Sequence, residues 1–411
     1  MFLVKRDNSN QNIIIKGFCT AILFSSFIYL SYFGIDYKVI NSILGLASIY
    51  LILTLPKKSL FYVGFFSGIF WFWWLGLSFV QYELTYLIPF VIVGIGLLYG
   101  FFFYLFTIID DNIYLRSVLF FGFTFIEPFG FNWFKPELLF VDSYFGITKI
   151  DFALILIAII LFKKYRSLSW IPLVVSFFML PVHNNTQGSD LKIYMPQLNV
   201  EQSIKWKKEH RISLVQKNVE LINKAIEDQY DLVILPETSF PLILNQRSSL
   251  LDILNEKSNE IDIVVGSLYV KNDLFHNSTY HFSKEKVTVA HKVVLVPFGE
   301  AVPLPEKIRD FINNMFYKGA KDYVKAKKPT DFTIKGINFR NAICYEATTD
   351  EIFKNMGDTK YMIATSNNAW FTPSVEPTLQ KLLMKYYAKK YNVVIYSSAN
   401  MSKNSIILPS I

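Results

Sequence analysis

From residue 11 to residue 183 the chain runs as a succession of apolar stretches, separated only by short polar or basic turns. Seven stretches can be marked out, at 11–34, 38–55, 60–80, 84–109, 113–133, 147–162 and 168–183. A bilayer core offers no water to backbone N–H and C=O groups, so a segment crossing it must form a helix or join a closed barrel. A helix needs about 20 mainly apolar residues to cross. The pattern therefore predicts an α-helical transmembrane bundle of about seven spans over 1–183. Charged residues make up only 18% of the 411, against about 25% in soluble proteins, which agrees.

Lysine and arginine near span ends set the orientation. Lys5, Arg6, Lys16, Lys57, Lys58, Arg116, Lys163, Lys164 and Arg166 fall on the N-terminal side, and only Lys38, Lys135 and Lys149 on the other. This predicts a cytoplasmic N-terminus in a multi-pass protein of the inner (cytoplasmic) membrane. Seven spans then place everything after about residue 184 in the periplasm, and the C-terminus stays there because no further span follows. The first stretch shows no small-residue cleavage pattern and more spans follow at once, so it reads as an anchor rather than a signal peptide. The run Trp71-Phe72-Trp73-Trp74 is expected to form an interfacial aromatic belt. Glu127 at membrane depth calls for a partner, and Glu127-Pro128-Phe129-Gly130 should break the fifth helix.

Residues 184–190 read as a polar linker, and 191–411 alternate strand and helix. Strands are expected at 191–196, 231–236, 261–270, 287–296, 337–343, 361–366 and 393–398. Several are continuous apolar runs, as in sheets covered on both faces. Helices are expected over 204–229 and 377–391 from their near-helical apolar spacing. Of the net charge of +8, residues 1–183 supply +3 (12 Lys and Arg against 9 Asp and Glu) and the rest +5 (29 against 24). Such a mildly basic domain lacks a nucleic-acid-binding signature. The two cysteines, Cys19 in an apolar stretch and Cys344 in the α/β half, are not expected to pair. No His/Cys cluster has metal-ligand spacing, so neither metal nor cofactor is expected.

Three expected strand ends carry reactive groups. Leu235-Pro236-Glu237 ends one; His291-Lys292 lies on another, followed by Val296-Pro297-Phe298-Gly299-Glu300; Ile343-Cys344-Tyr345-Glu346 ends a third. In alternating α/β chains such ends can converge on one edge of a sheet. A thiol, a carboxylate and a lysine are what acyl transfer needs: Cys344 to attack a carbonyl, Glu237 to take the thiol proton, and Lys292 to stabilise the tetrahedral oxyanion.

These motifs, together with Ser366-Asn367-Asn368-Ala369-Trp370-Phe371, resemble the nitrilase (carbon–nitrogen hydrolase) superfamily. With the upstream spans, nearly the whole length is similar to the apolipoprotein N-acyltransferase family. Cys-Tyr-Glu and Val-Pro-Phe-Gly-Glu-x-Val-Pro-Leu are the specific elements. The resemblance implies an αββα sandwich on the periplasmic face. It implies Glu237 as base, Lys292 as oxyanion stabiliser and Cys344 as nucleophile. Glu300 then supports the lysine and the amine, Tyr345 and Glu346 shape the site beside the nucleophile, Asn277 lines it, Trp206 lies near the substrate entrance, and Trp370 falls in a substrate-contacting loop. It further implies a ping-pong reaction through a Cys thioester, with a phospholipid as acyl donor, the α-amine of a diacylglyceryl-cysteine on an apolipoprotein as acceptor, and membrane lipid as the surroundings. A membrane-anchored nitrilase-type amidohydrolase is the alternative. Two departures stand out: Asn368 occupies a position where the family commonly has Asp, and the family usually continues with more sheet and a final span.

Overall fold

The computed structural model describes residues 10–107, 112–178, 187–316 and 322–409, which fall into two units. One takes residues up to 128, 132–182 and 373–382; the other takes 129–131, 183–372 and 383 onward. The expected boundary at 183–184 lies outside the described residues, as do 184–186 of the linker, 108–109 of the fourth stretch and 179–183 of the seventh.

The first unit is helical: α1 (Asn10–Tyr32), α2 (Lys38–Thr54), α3 (Lys57–Phe72), the short α4 (Ser78–Gln81), α5 (Ile88–Leu105), α6 (Ile113–Phe123), α7 (Lys149–Lys164) and α8 (Trp170–Phe178). Among the described residues, four helical segments are long and apolar enough to cross a bilayer: Gln11–Tyr32, Lys57–Gln81, Thr85–Leu105 and Ile113–Gly130. The stretches at 38–55, 147–162 and 168–183 form α2, α7 and α8, with 17, 16 and 9 described residues. That is short of the roughly 20 residues a span needs, so the expected count of seven is not confirmed.

Helices α3 and α5 pack through facing small residues at a spacing of four. A Cβ on Gly64 would lie 2.2 Å from the Tyr99 carbonyl oxygen, and one on Gly100 would lie 3.0 Å from the Phe61 ring. Glycine at these positions lets the two backbones approach, which is how helices associate where lipid removes the hydrophobic drive.

The aromatic run departs from expectation. Trp71, Phe72 and Trp74 are fully buried, with the Trp71 ring 4.7 Å from that of Phe134 and 5.6 Å from that of Phe24. They form the core of the bundle rather than an interfacial belt, because the helix packing here surrounds them with other rings, in tilted and stacked contacts that aromatic pairs favour. Three charged groups find partners: Glu127 with Lys135 at 3.4 Å, Glu137 with Lys149, and Arg116 with the carbonyl of Leu55 at 2.7 Å. Helix α6 ends at Phe123, and Phe129 adopts φ +55°, so the chain does break at this motif.

The second unit contains β1 (Ile193–Tyr194), α9 (Gln202–Lys205), α10 (Lys208–Glu227), β2 (Leu232–Ile234), β3 (Phe240–Ile243), α11 (Ser248–Lys257), β4 (Asp262–Lys271), β5 (Leu274–Ser283) and β6 (Lys286–His291). After them come α12 (Glu306–Phe316), β7 (Asp331–Ile334), β8 (Ile337–Ile343), α13 (Asp350–Phe353), β9 (Tyr361–Asn367), α14 (Glu376–Tyr391), β10 (Val394–Asn400) and β11 (Ser405–Ile407). One sheet has the order β1-β2-β4-β5-β6 with β3 also on β4; the other has β11-β10-β9-β8-β7. Strands β1, β2 and β4 run parallel, as do β8, β9 and β10, while β5, β6, β7 and β11 are antiparallel to their neighbours.

Side-chain alternation along the strands divides the core. Val233, Ile263 and Val265 join Ile222 of α10 and Leu254 of α11 in one buried cluster. Leu232, Ile234 and Val264 point the other way, into a cluster with Phe339, Ile363, Val394 and Tyr396 of the second sheet. The two sheets therefore face each other, with helices outside the first. Met362, Ala364 and Ile395 on the far face of the second sheet are buried too. The parallel crossovers through α13 and α14 have only that side left to run along. The result is the expected nitrilase-like αββα order.

Candidate active site

Chain connectivity brings Glu237 to the end of β2, Lys292 to the end of β6 and Cys344 to the end of β8. Each lies where a strand gives way to a turn, and two of those turns are strained. Cys344 has φ +56° and opens a 3₁₀ turn over Cys344–Thr348. Thr238, directly after Glu237, has φ +46°. Positive φ is a genuine outlier for a β-branched residue and persists only where surroundings enforce it. At Glu237 the enforcement is visible. Gly266 of β4 lies so close that a Cβ there would be 2.5 Å from Thr238 N and 2.7 Å from Glu237 Cα. Asn218 of α10 donates to the Ser239 carbonyl at 2.7 Å.

Asn277 on β5 links two carboxylates: its Nδ2 donates to Glu237 Oε1 at 2.7 Å and to Glu300 Oε1 at 3.0 Å. Glu300 turns its other oxygen to the Lys292 ammonium, at 2.7 Å, and accepts from Val296 N at 3.0 Å. Lys292 is 1% exposed. Burial alone would lower its pKa, but Glu300, then Glu237, Cys344 and Glu346, outweigh it and hold the ammonium well above the usual lysine range. It is a fixed cation with three carboxylates and the thiol around it.

Glu346 is also buried. It accepts from the main-chain N–H of Val293 and Val294 with one oxygen and of Ile343 with the other, so it ties the Lys292 loop to the strand that leads into Cys344. Burial pushes its carboxyl up, to about 7, against the pull of Lys292 and these three donors. Tyr345 is buried, donates to the Gly130 carbonyl at 3.1 Å and stacks on Phe131. His291, beside Lys292, bonds Ser278 Oγ through Nδ1. Burial, with His276 and Lys271 nearby, lowers its pKa to about 4, so it is neutral at physiological pH.

Glu237, Lys292, Cys344, Glu300, Asn277 and Glu346 thus meet in one cluster, with Tyr345 adjoining it. Trp206 follows α9 and is 36% exposed, and Trp370 ends a 3₁₀ turn at Asn368–Trp370, half-buried. Asn368, at the position where a carboxylate is commoner, is buried and donates to Ser402 Oγ at 2.9 Å.

Sequence reasoning missed one charged group. Lys205, beside Trp206, is 3% exposed and donates to the Glu237 main-chain carbonyl at 3.0 Å. No periodicity or spacing marks it, and its neighbours in α9 are mixed, with Gln202 buried, Ile204 half-buried and Ser203 exposed.

Two family models match the chain: the apolipoprotein N-acyltransferase integral membrane domain over residues 11–182 and carbon-nitrogen hydrolase over residues 196–404. An apolipoprotein N-acyltransferase of Wolinella succinogenes is 42% identical, with 95% of this chain and 94% of that one aligned. Those of Helicobacter pylori (98% and 96% aligned) and Campylobacter jejuni (99% and 93%) are each 36% identical.

Proposed function

The chain belongs to the apolipoprotein N-acyltransferase family, and from that premise we propose that Cys344 carries the transferred acyl group as a thioester, with Glu237 as base and Lys292 as oxyanion stabiliser. The protein is an integral membrane acyltransferase acting on lipid and lipoprotein substrates. The amidohydrolase alternative is not favoured by these relatives.

In the first half-reaction Glu237 takes the Cys344 thiol proton and the sulfur attacks an ester carbonyl of a phospholipid. Lys292 balances the oxyanion, and Glu237 returns the proton to the departing lysophospholipid alkoxide. In the second, the α-amine of a diacylglyceryl-cysteine at the N-terminus of an apolipoprotein attacks the thioester. Glu237 takes the amine proton and restores the thiol. Glu300 holds Lys292, Asn277 joins Glu300 to Glu237, and Glu346 fixes the loop behind the nucleophile. Tyr345, Trp206 and Trp370 border the substrates. The unit carrying this site faces the periplasm of the inner membrane, a reading supported by the Lys and Arg distribution along the first half.

The observation that carries the mechanism is the buried Lys292, paired with Glu300 and under the influence of both Glu237 and Cys344. The test is incubation of purified protein with phospholipid alone, followed by intact-mass analysis. One fatty-acyl adduct should appear, with release of lysophospholipid, and should be absent from Cys344→Ala. An adduct that persists in that variant removes the mechanism.

A further inference from the structure

Lys205 is the last residue of α9 and lies almost wholly out of solvent. Its stem borders a small apolar hollow lined by Leu198, Val200, Leu214 and Pro236. Lysine is almost never fully buried unless paired, yet the acceptor in contact with its Nζ is a neutral main-chain carbonyl, that of Glu237 at 3.0 Å. The ionisable groups that face it are Glu237 from the end of β2 and Cys344 from the end of β8. Burial pushes the ammonium down, to about 7, while Glu237 and Cys344 pull it the other way.

The carbonyl it grips belongs to the strained turn that aims the base. A neutral group would serve to hold such a turn, as Asn218 does for Ser239 one step along. The cation does something the amide cannot, because it favours negative charge on whatever faces it. Its helix is itself anchored, with Asn367 Nδ2 donating to Gln202 Oε1 at 3.0 Å, so the ammonium is delivered from a fixed base.

We propose that Lys205 is a positioning residue for Glu237, holding the turn through the main-chain carbonyl and keeping the carboxylate charged and ready to accept a proton. This rests on Glu237 being the base. The other groups that bear on Glu237 are Lys292, Asn277 and, across Asn277, Glu300.

The test is single-turnover thioester formation on the full-length protein in detergent–phospholipid micelles, read by intact mass from pH 5.5 to 9. Lys205→Met should form the adduct at least about tenfold more slowly at pH 7, and the midpoint of the acid limb of its pH–rate profile should move up by about half a unit or more. Lys205→Arg should recover rate with a midpoint near wild type. Asn218→Ala, which loosens the same turn without touching charge, should lose rate with no movement of the midpoint. A Lys205→Met rate within twofold of wild type, or a fall that is equal at every pH, overturns the proposal. Should Lys205→Met show no cooperative melt, Lys205→Gln keeps a donor and loses the charge, and an unmoved midpoint there overturns it equally. Glu237→Gln separates the two levels. If it still forms adduct, the assignment of the base fails. If it is dead while Lys205→Met is normal, only the role of Lys205 fails.

Discussion

Replacing Gly266 by alanine tests the position of Glu237 without altering any ionisable group. The new Cβ would lie 2.5 Å from Thr238 N, 2.7 Å from Glu237 Cα and 2.8 Å from the Pro236 carbonyl oxygen, where ordinary contact begins at 3.4 Å. All three atoms are backbone, so no flexible side chain can give way. Relief requires the Glu237 Cα to retreat by about 0.7 Å. That stretches the 2.7 Å bond from Asn277 to Glu237 towards the limit of hydrogen bonding. Overpacking of this kind destabilises by about 1–3 kcal/mol, or about 2–4 °C of melting temperature per kcal/mol for a unit of this size, so the protein stays folded at 25 °C. A displacement approaching 1 Å at a catalytic group is worth roughly 100-fold in rate. Gly266→Ala should therefore melt only modestly lower by differential scanning fluorimetry and yet form the thioester about 100-fold more slowly by intact mass. Thioester formation within about fivefold of wild type, alongside the expected fall in melting temperature, would refute the idea that this close approach sets the position of Glu237, the proposed base.

Glu300→Gln leaves Lys292 without its 2.7 Å partner. Losing one member of a buried pair typically costs about 3–5 kcal/mol, and the remaining carboxylates, Glu237 and Glu346, keep the effect towards the lower end. The measurement is melting temperature together with lysophospholipid release, both of which should fall. Because the Lys205 ammonium is depressed to about 7 in the folded protein, its contribution to stability is complete only above the unfolded lysine range, is lost progressively as pH falls from there to 7, and changes little further below. Lys205→Met should accordingly gain melting temperature relative to wild type more at pH 6 than at pH 9, and a pH-independent difference would count against a Lys205 depressed by burial. Ile212 on α10 is 70% exposed. In a Cys19→Ser, Cys344→Ala background, Ile212→Cys should react with a membrane-impermeant maleimide in cells whose outer membrane alone is permeabilised, and labelling only after lysis would place this unit in the cytoplasm.

The parts of the fold legible in the sequence are those buried on both faces. Apolar runs announce β2, β4, β9 and β10, because a strand sandwiched between layers has few positions facing solvent, whereas β8 mixes its apolar residues with Asn338, Arg340 and Asn341. Strand β5 escaped notice for the opposite reason: Leu274–Ser283 is largely polar, yet most of it is buried, since its polar groups are spent on the site and on its neighbours. The expected strand at 287–296 stops at His291. The apolar residues beyond it, Val293 and Val294, turn their N–H groups to the Glu346 carboxylate rather than to a neighbouring strand. In the membrane half, apolarity alone could not tell a ring facing headgroups from a ring facing other rings. Burial of Trp71 and Trp74 is decided by helix packing that leaves no trace in local composition.

The site divides along the same line. Glu237, Lys292 and Cys344 are legible because each interrupts an apolar strand at its end, where a reactive group has few structural reasons to be. Asn277 is marked only by the resemblance of its motif, and Lys205 carries no role in that reading, because their meaning lies in what they touch across the fold. Asn277 is one polar residue among several on β5, and only the structure shows its amide shared between Glu237 and Glu300. Lys205 is one of 41 Lys and Arg residues in the chain, most of them solvated. Its difference is an environment made by residues from β2 and β8, separated from it by 32 and 139 positions. A strand end declares its chemistry locally. The groups that position such chemistry act from elsewhere in the chain, and the physical mark of Lys205 is a buried ammonium bonded to a main-chain carbonyl.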